Sequence, residues 1–432
     1  MLNLFVSLAA GLLSAFGAAP GDSVDFDRYF TDAVLRIDLY HGGGYDSEFF
    51  VVKELRREPH LAICRGALID TLNLGNHLAE LFDAESGELI FSRGFCSLFS
   101  EWRHTEEAAD GGARIFADTI VAPFPRRTVR LAISSRDREN NWVRVSEFFI
   151  DPRSPQVDRE PRNSGFAVDV IRDTGPPAER VDLVFIGDGY TVAQMDKYRA
   201  DVRRFVDILF SAEPFVEHAD RFNVVAIEAV SGDSGPDEPL RGHWRDTVLD
   251  CSFNTFGMDR YLTTLDNFAV RDVAGNVPYD YIIVVVNTGR YGGGGVFRLW
   301  SIFCADGPAL EEVFLHELGH ALAGLGDEYD GADLPGLYPH DVEPWEPNLT
   351  TTRDRERIKW RDLIRPGTPI PTPAHGQPPD YIGLFRGGGY NRTGVYRPAA
   401  NCRMRSNTAG EFCAVCRRAI ERVIRFHCGE TP

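Results

Sequence analysis

A stretch rich in proline and charge, residues 151–166, most constrains the fold because it divides 432 residues into two differently patterned parts. It reads DPRSPQVDREPRNSGF and has no apolar periodicity, which is typical of a linker between domains. A chain of this length also exceeds one ordinary domain. We therefore expect an N-terminal domain over residues 25–150 and a second domain over residues 167–430.

The N-terminal part consists of short apolar segments that alternate with glycine-containing turns. The segments lie at 33–40, 49–55, 77–81, 88–93, 114–121 and 128–136. Alternation with a turn signal every ten or so residues predicts an antiparallel β-sandwich. We find no constellation of catalytic residue types in this part.

The second part mixes strand and helix patterns. Residues 181–187 form an almost continuous apolar run, which indicates a strand buried on both faces. Residues 195–210 carry apolar side chains at helical spacing, and residues 221–230 and 280–286 resemble strands. These patterns predict an α/β domain, so the whole chain is expected to be an α+β multidomain protein.

Charge and apolar segments limit the partners and the location. The formal net charge of −18 argues against binding to nucleic acid or an anionic membrane. Residues 1–19 are uncharged, apolar and end in small residues, which favours a signal peptide and a secreted or periplasmic protein. A misplaced start or a buried N-terminal helix is the alternative. No later apolar run approaches about 18 residues, so we expect no membrane insertion, and the sequence does not indicate an oligomeric state.

The motif HELGH at residues 316–320 carries the chemistry. On a helix, His316 and His320 project from the same face and can bind one metal ion, for which zinc is the expected choice. Glu317 is placed to take a proton from a water that the zinc activates. Asp306 and Pro308 are expected to begin the helix. Two exposed histidines on an ordinary amphipathic helix are the alternative.

The third metal ligand is expected just after the helix. Gly324 can adopt the left-handed conformation that ends a helix and returns the chain towards the metal. The spacing from Gly324 then favours Asp327 as the ligand, with Glu328 as the second choice. Whichever of the two does not bind the metal is a candidate to orient a histidine N–H. The alternative is that both are solvated charges of the loop.

Two further signals lie near the C-terminus. Met404, one of four methionines, stands in a polar turn, and in glycine-terminated zincins a methionine turn forms a floor beneath the zinc. A core methionine is the alternative. Four cysteines at 402, 413, 416 and 428 favour disulfides in an exported chain, and a zinc knuckle is the competing interpretation.

Several long strings in one order resemble a known family. They include LRIDLYHGG (35–43), RGFCSLFSEWRHTEEA (93–108), LVFIGDGYT (183–191), HELGHALAGLGDEY (316–329) and CRMRSNTAGEFCAVC (402–416). The chain resembles the bacterial immunoglobulin-A-peptidase-like zinc metallopeptidases, which are metzincin-type enzymes with an N-terminal β domain. The resemblance implies peptide-bond hydrolysis with a single catalytic zinc held by His316, His320 and an acidic residue after Gly324. It does not imply that immunoglobulin A is the substrate.

Two lesser hypotheses concern the surroundings of the site. Residues 296–305, VFRLWSIFCA, are expected to form either an edge strand that pairs with an extended substrate or a buried strand. Tyr390 and Tyr396 are candidates to stabilise the oxyanion, and Tyr396 is the preferred choice. Packing roles are the alternative for both.

The sequence thus predicts an exported zinc endopeptidase that acts on proteins or peptides. Its catalytic residues are Glu317 and Tyr396, and one Zn²⁺ is bound by His316, His320 and Asp327. Two alternatives stay open: a zinc amidase acting on cell-wall peptides, and a non-catalytic binding protein with a degenerate zincin domain.

Overall fold

The computed structural model describes residues 24–160, 165–331, 338–378 and 380–430. The expected signal peptide over residues 1–19 lies outside these ranges. None of the helices in the described ranges combines the length and the apolar character needed to cross a bilayer.

Sixteen strands and seven α-helices make up the described part of the chain. The strands are β1 Phe30–Gly44, β2 Ser47–Glu58, β3 His77–Asp83, β4 Leu89–Phe95, β5 Ala113–Pro125, β6 Val129–Arg136, β7 Trp142–Ile150, β8 Val157–Asp158, β9 Ala167–Arg172, β10 Val181–Asp188, β11 Phe222–Glu228, β12 Tyr281–Val286, β13 Gly293–Val296, β14 Trp300–Cys304, β15 Phe385–Gly388 and β16 Asn391–Arg397. The helices are α1 Phe26–Tyr29, α2 Leu98–Trp102, α3 Glu106–Ala109, α4 Met195–Leu209, α5 Asn267–Ala274, α6 Leu310–Ala323 and α7 Ala414–His427.

The N-terminal half is rich in β-structure, and the chain as a whole is α+β, as the sequence predicts. Two four-stranded sheets run in the orders β5-β1-β2-β8 and β4-β3-β6-β7. All their pairs are antiparallel except β2 with β8. Apolar side chains from both sheets, such as Ile37 and Leu131, enter one hydrophobic cluster. Alternating burial along β3 explains why period-two patterning predicts this half well.

The segment expected to be a linker is partly structured. Val157–Asp158 forms β8, which pairs in parallel with Leu55 and Arg56 of β2. The guanidinium of Arg56 also forms an ion pair with Asp158. The first part of residues 151–166 therefore belongs to the N-terminal sheet, a contact between distant segments that composition alone does not indicate.

A six-stranded mixed sheet forms the centre of the second half, in the order β13-β14-β12-β10-β11-β9. The four inner strands are parallel, whereas β13 and β9 run antiparallel at the two edges. Strand β14 is fully buried between β13 and β12. The edge-strand hypothesis for residues 296–305 is therefore wrong, because the glycine-rich segment Gly293–Val296 forms the edge instead.

Helix α6 carries the HELGH motif and packs against β13 and β14. It begins at Leu310, later than expected, because Ala309 adopts a left-handed conformation with φ +56° and precedes the first helical residue. The helix ends where the sequence predicts. Gly324 has φ +59°, and its N–H donates to the carbonyl groups of Gly319 and His320.

The two halves share one hydrophobic core. The largest cluster contains Phe99 and Trp102 of helix α2 together with Phe185 and Phe314 of the second half. The Cys96 N–H also donates to the carbonyl of Phe297 across the boundary at 3.1 Å. Helix α2 is thereby fixed against the sheet that carries the HELGH helix.

Candidate metal centre

Three side chains converge at the end of helix α6. The Nε2 atoms of His316 and His320 are 3.0 Å apart. Asp327 Oδ1 lies 3.1 Å from His316 Nε2 and 3.3 Å from His320 Nε2. The spacing of the histidines comes from one helical turn, and the aspartate returns because the chain reverses at Gly324.

Backbone carbonyl groups orient both imidazole rings. His316 Nδ1 is 3.0 Å from the carbonyl oxygen of Arg403, and His320 Nδ1 is 2.5 Å from that of Leu325. A proton on each Nδ1 satisfies these contacts and leaves each Nε2 with a free lone pair. This arrangement is the usual one for metal-binding histidines.

The three atoms that face one another suit a small divalent cation. With zinc–ligand bonds of about 2.0–2.1 Å, neighbouring ligands of a tetrahedral site stand about 3.3 Å apart. The observed separations of 3.0–3.3 Å fit that geometry. Asp327 Oδ1 is also buried and accepts no well-aligned hydrogen bond from the described residues. Two imidazoles and one carboxylate are a donor set that zinc accepts.

The charges of the ligands are coupled. Burial alone lowers the pKa of His320, but the charge of the Asp327 carboxylate outweighs it and raises that pKa to about 9. Burial raises the pKa of Asp327, yet the two histidines more than compensate and hold it well below its usual range. Without metal, His320 is therefore a cation paired with Asp327, and a metal ion must displace its proton.

Metal affinity should consequently depend on pH. Because His320 holds its proton below about pH 9, the free Zn²⁺ concentration needed to half-fill this site should rise about tenfold per pH unit between pH 8.5 and 7. The measurement is zinc binding to chelator-treated protein in metal-buffered solutions at each pH. A half-saturation point that does not move with pH in this range would contradict the assignment of His320.

Glu317 projects from the same helix beside the first histidine. Burial raises the pKa of its carboxyl group, and the nearby His316 and His320 charges act in the opposite direction. The edge strand lies unusually close to it. A Cβ atom on Gly293 would stand 3.1 Å from Glu317 Oε1, and one on Gly295 would stand 2.2 Å from the Glu317 carbonyl oxygen. Glycine at these positions lets β13 pack against the helix at Glu317.

Glu328, the second choice for the third ligand, turns away from the histidines. It is fully buried, and its Oε1 accepts a hydrogen bond from Asn348 Nδ2 at 3.0 Å. The same oxygen lies 3.5 Å from Cys416 Sγ. Glu328 therefore belongs to a separate group of side chains, and Asp327 is the acidic residue that faces the histidines.

Met404 lies against the metal-binding helix. Its side chain is fully buried, and a Cβ atom on Gly319 would stand 3.0 Å from its sulfur. The carbonyl of Met404 accepts the Glu328 N–H at 2.8 Å, and the carbonyl of Arg403 before it orients His316. The turn around Met404 thus contacts both segments that supply candidate ligands.

The tyrosines near the site differ from the expectation. Tyr396 packs in a separate hydrophobic cluster with Trp360 and Leu384, so the structure does not bring it to the candidate ligands. The Tyr390 hydroxyl instead donates to Asp327 Oδ2. Tyr329 was not predicted, yet its hydroxyl lies 3.3 Å from His316 Nε2 and its ring stacks on that imidazole. Its place two residues after Asp327 is the only sequence signal for it.

The N-terminal half also contributes to the surroundings of the site, which the sequence did not indicate. Glu101 of helix α2 accepts a hydrogen bond from the Tyr261 hydroxyl. Burial raises the pKa of Glu101 to about 7, and the charges of His320, Glu317 and Asp327 also act on it. A carboxyl group from the first half therefore lies within electrostatic reach of the candidate metal centre.

Another histidine group in the N-terminal half has a different character. His41, Glu48 and His77 bring their polar atoms close together. However, His41 is hydrogen-bonded through Nδ1 to Asp118 and through Nε2 to Glu48. Both nitrogens of His77 contact serine hydroxyls. With each ring nitrogen satisfied within the protein, this group is a buried hydrogen-bond network.

Comparison with known proteins gives two matches to family models. The model described as IgA Peptidase M64 matches residues 170–377 and 374–424. The model described as Peptidase M64 N-terminus matches residues 25–146. A comparison with curated proteins gives no match.

Proposed function

Because the chain belongs to the IgA peptidase M64 family, we propose that it is an exported zinc-dependent endopeptidase. Membership of this family implies peptidase activity and a protein or peptide substrate. The observation that carries the proposal is the convergence of His316 Nε2, His320 Nε2 and Asp327 Oδ1 within 3.3 Å of one another. These three residues would hold the single catalytic zinc ion.

Different side chains of the protein carry out different steps of hydrolysis. Zinc, when bound, acts as a Lewis acid that acidifies water and polarises a carbonyl group. Glu317 accepts the proton of the attacking water and delivers it to the leaving amine. Its burial favours this role, because a raised pKa makes the carboxylate a better base and its conjugate acid a usable donor. We assign Tyr329, in place of Tyr396, to donate a hydrogen bond to the carbonyl oxygen that becomes negative.

Two phenylalanine substitutions distinguish a tyrosine that positions a metal ligand from a tyrosine that acts on the substrate. Tyr390→Phe removes the hydroxyl that orients Asp327, so zinc affinity should fall about 10–100-fold while kcat at saturating zinc is retained. Tyr329→Phe should lower kcat about 100-fold with little change in zinc affinity. Zinc titrations and kcat at saturating zinc measure both effects. The reverse pattern would exchange the two roles.

The finer features of the fold are part of the proposal. We infer a β-sandwich for the N-terminal half, supported by two sheets whose apolar faces share one cluster. We infer a metzincin-like second half, supported by the helix that ends at Gly324 and by Met404 packed against it. Secretion or a periplasmic location rests on residues 1–19 of the sequence.

One digestion experiment tests the proposed function. Casein and a peptide library are incubated with the protein, with protein plus chelator, and with chelated protein to which Zn²⁺ is restored. We expect internal cleavage that chelation abolishes and zinc restores. Cleavage of muropeptides alone would favour the zinc amidase, and no hydrolysis of either substrate would favour the non-catalytic binding protein.

A further inference from the structure

Three cysteines and one glutamate form a second group of metal-binding side chains. Cys402, Cys413, Cys416 and Glu328 bring three sulfurs and a carboxylate oxygen within 4.8 Å of one another. Cys413 is the N-cap of helix α7, and Cys416 lies in its first turn. The other two residues come from separate loops. We call these four residues the thiol cluster.

The thiol cluster is largely buried, and it contains a carboxyl group with one oxygen that has no hydrogen-bond partner among the described residues. Cys402 is 1% exposed, and Cys416 and Glu328 are fully buried. Glu328 Oε1 is hydrogen-bonded to Asn348, but Oε2 is buried without a hydrogen-bond partner among the described residues. A buried carboxylate that lacks a partner is strongly unfavourable. A cation between the sulfurs and this carboxylate removes that cost.

The distances within the cluster match a tetrahedral metal site. Cys402 Sγ and Cys416 Sγ are 3.7 Å apart, and Cys416 Sγ lies 3.5 Å from Glu328 Oε1. With zinc–sulfur bonds of about 2.3 Å and a zinc–oxygen bond of about 2.0 Å, the corresponding edges are about 3.8 Å and 3.5 Å. A disulfide would require about 2.05 Å between the sulfurs.

Burial raises the pKa of the Cys402 and Cys416 thiols, but two local features stabilise thiolates, which are the form that binds metal. The backbone N–H of Cys413 donates to Cys402 Sγ at 3.2 Å. Cys413 and Cys416 also lie at the N-terminal end of a 14-residue helix, where the helix dipole stabilises negative charge. Two ligands from a Cys-x-x-Cys turn at a helix start are a frequent part of structural zinc sites.

A disulfide explains the cluster less well than a metal does. All eight cysteines, each within the described ranges, are free thiols. A bond between any two cysteines of the cluster would leave the third cysteine outside the bond and Glu328 Oε2 still buried without a hydrogen-bond partner among the described residues. The expectation of disulfides for residues 402, 413 and 416 is therefore replaced by the zinc-knuckle interpretation, with Glu328 as the fourth ligand and Cys428 outside the group.

We propose that the thiol cluster binds a structural Zn²⁺ ion distinct from the catalytic one. Soft thiolates select zinc over calcium or magnesium. The ion would join the start of helix α7 to the turn before Met404 and to the loop that carries Asp327. Since the Glu328 N–H already donates to the Met404 carbonyl, the ion would hold the third catalytic ligand and the methionine turn in register.

Metal content in a variant without the catalytic ligands tests this proposal. The full chain and a His316→Ala/His320→Ala variant are purified under reducing, anaerobic conditions with Zn²⁺. Elemental analysis should find two zinc ions per chain in the wild type and one in the double variant. Replacement of that ion by Co²⁺ should give the sulfur-to-cobalt charge-transfer absorption that marks thiolate ligands.

A matched pair of serine substitutions completes the test. In the double variant, Cys416→Ser should lose the ion and the absorption, whereas Cys304→Ser, at a buried thiol outside the cluster, should keep both. A double variant that holds no metal, or an intact mass two hydrogens below the fully reduced chain, would overturn the proposal. The metal content and intact mass of the double variant need no cysteine substitution. They therefore test the proposal even if Cys416→Ser fails to fold. The single ion expected in the double variant depends on neither hydrolysis nor the catalytic ligands, so failure of the proposed function would lower only the wild-type count.

Discussion

Replacing Glu317 with glutamine is expected to abolish hydrolysis while the catalytic metal stays bound. Glutamine has nearly the shape of glutamate, and a neutral amide is easier to bury than a carboxylate, so the contact with strand β13 survives. The proton acceptor is lost, however, and general-base catalysis typically contributes about 10²–10⁴-fold. We therefore expect kcat to fall about 10²–10⁴-fold at unchanged zinc affinity.

The measurement is a progress curve for peptide cleavage at saturating zinc, with zinc content determined on the same sample. Glu311→Gln is the matched control, because Glu311 is an exposed glutamate in the first turn of the same helix. It should keep full activity. A Glu317→Gln protein with wild-type kcat would exclude Glu317 as the base.

Replacing Asp327 with alanine should remove the catalytic zinc. The change deletes the carboxylate whose Oδ1 lies 3.1 Å from His316 Nε2 and 3.3 Å from His320 Nε2. Loss of residues that merely orient ligands costs about 10–100-fold in metal affinity, so loss of a ligand should exceed 100-fold. The measurement is the free Zn²⁺ concentration that restores hydrolysis to chelated protein, with the zinc content of each sample determined alongside.

Two neighbouring acidic residues provide the comparison. Asp330→Asn alters an exposed carboxylate that pairs with Arg405 and should leave zinc reactivation unchanged. Glu328→Gln should lose the structural ion and, because its side chain does not face the histidines, should weaken zinc reactivation less than Asp327→Ala does. If Glu328→Gln needed far more zinc for reactivation and Asp327→Ala did not, the third ligand would be Glu328.

The features predicted well from the sequence depend on local geometry. Helical spacing places His316 and His320 on one face, and a glycine at 324 ends the helix in the conformation that the sequence suggests. The strands of the N-terminal half follow from alternation within single segments. In each case the physical cause lies within about ten residues of the feature.

The features that were missed depend on distant contacts. Tyr390 and Tyr396 belong to one hairpin, but Tyr390 lies in its turn beside the Asp327 loop, whereas Tyr396 faces a hydrophobic cluster. No periodicity in so short a hairpin distinguishes the two. The run of glycines at 292–295 resembles a turn, and only its pairing with β14 makes it an edge strand. The metal-binding interpretation of the cysteines at 402, 413 and 416 depends on Glu328. That residue lies 74 positions before Cys402 in the sequence and is close to it only in the folded structure.

Helix α2 makes the two halves structurally interdependent, from which we expect them to evolve together. Glu101 shares a hydrogen bond with Tyr261, and Trp102 is completely enclosed in the core common to both halves. A recombination event that exchanged the first half for that of a distant relative would disrupt these contacts next to the candidate metal centre. Substitutions at Glu101 and Tyr261 should therefore be inherited together, and the β-rich half is expected to diversify in step with the enzyme it supports, unlike an appended module.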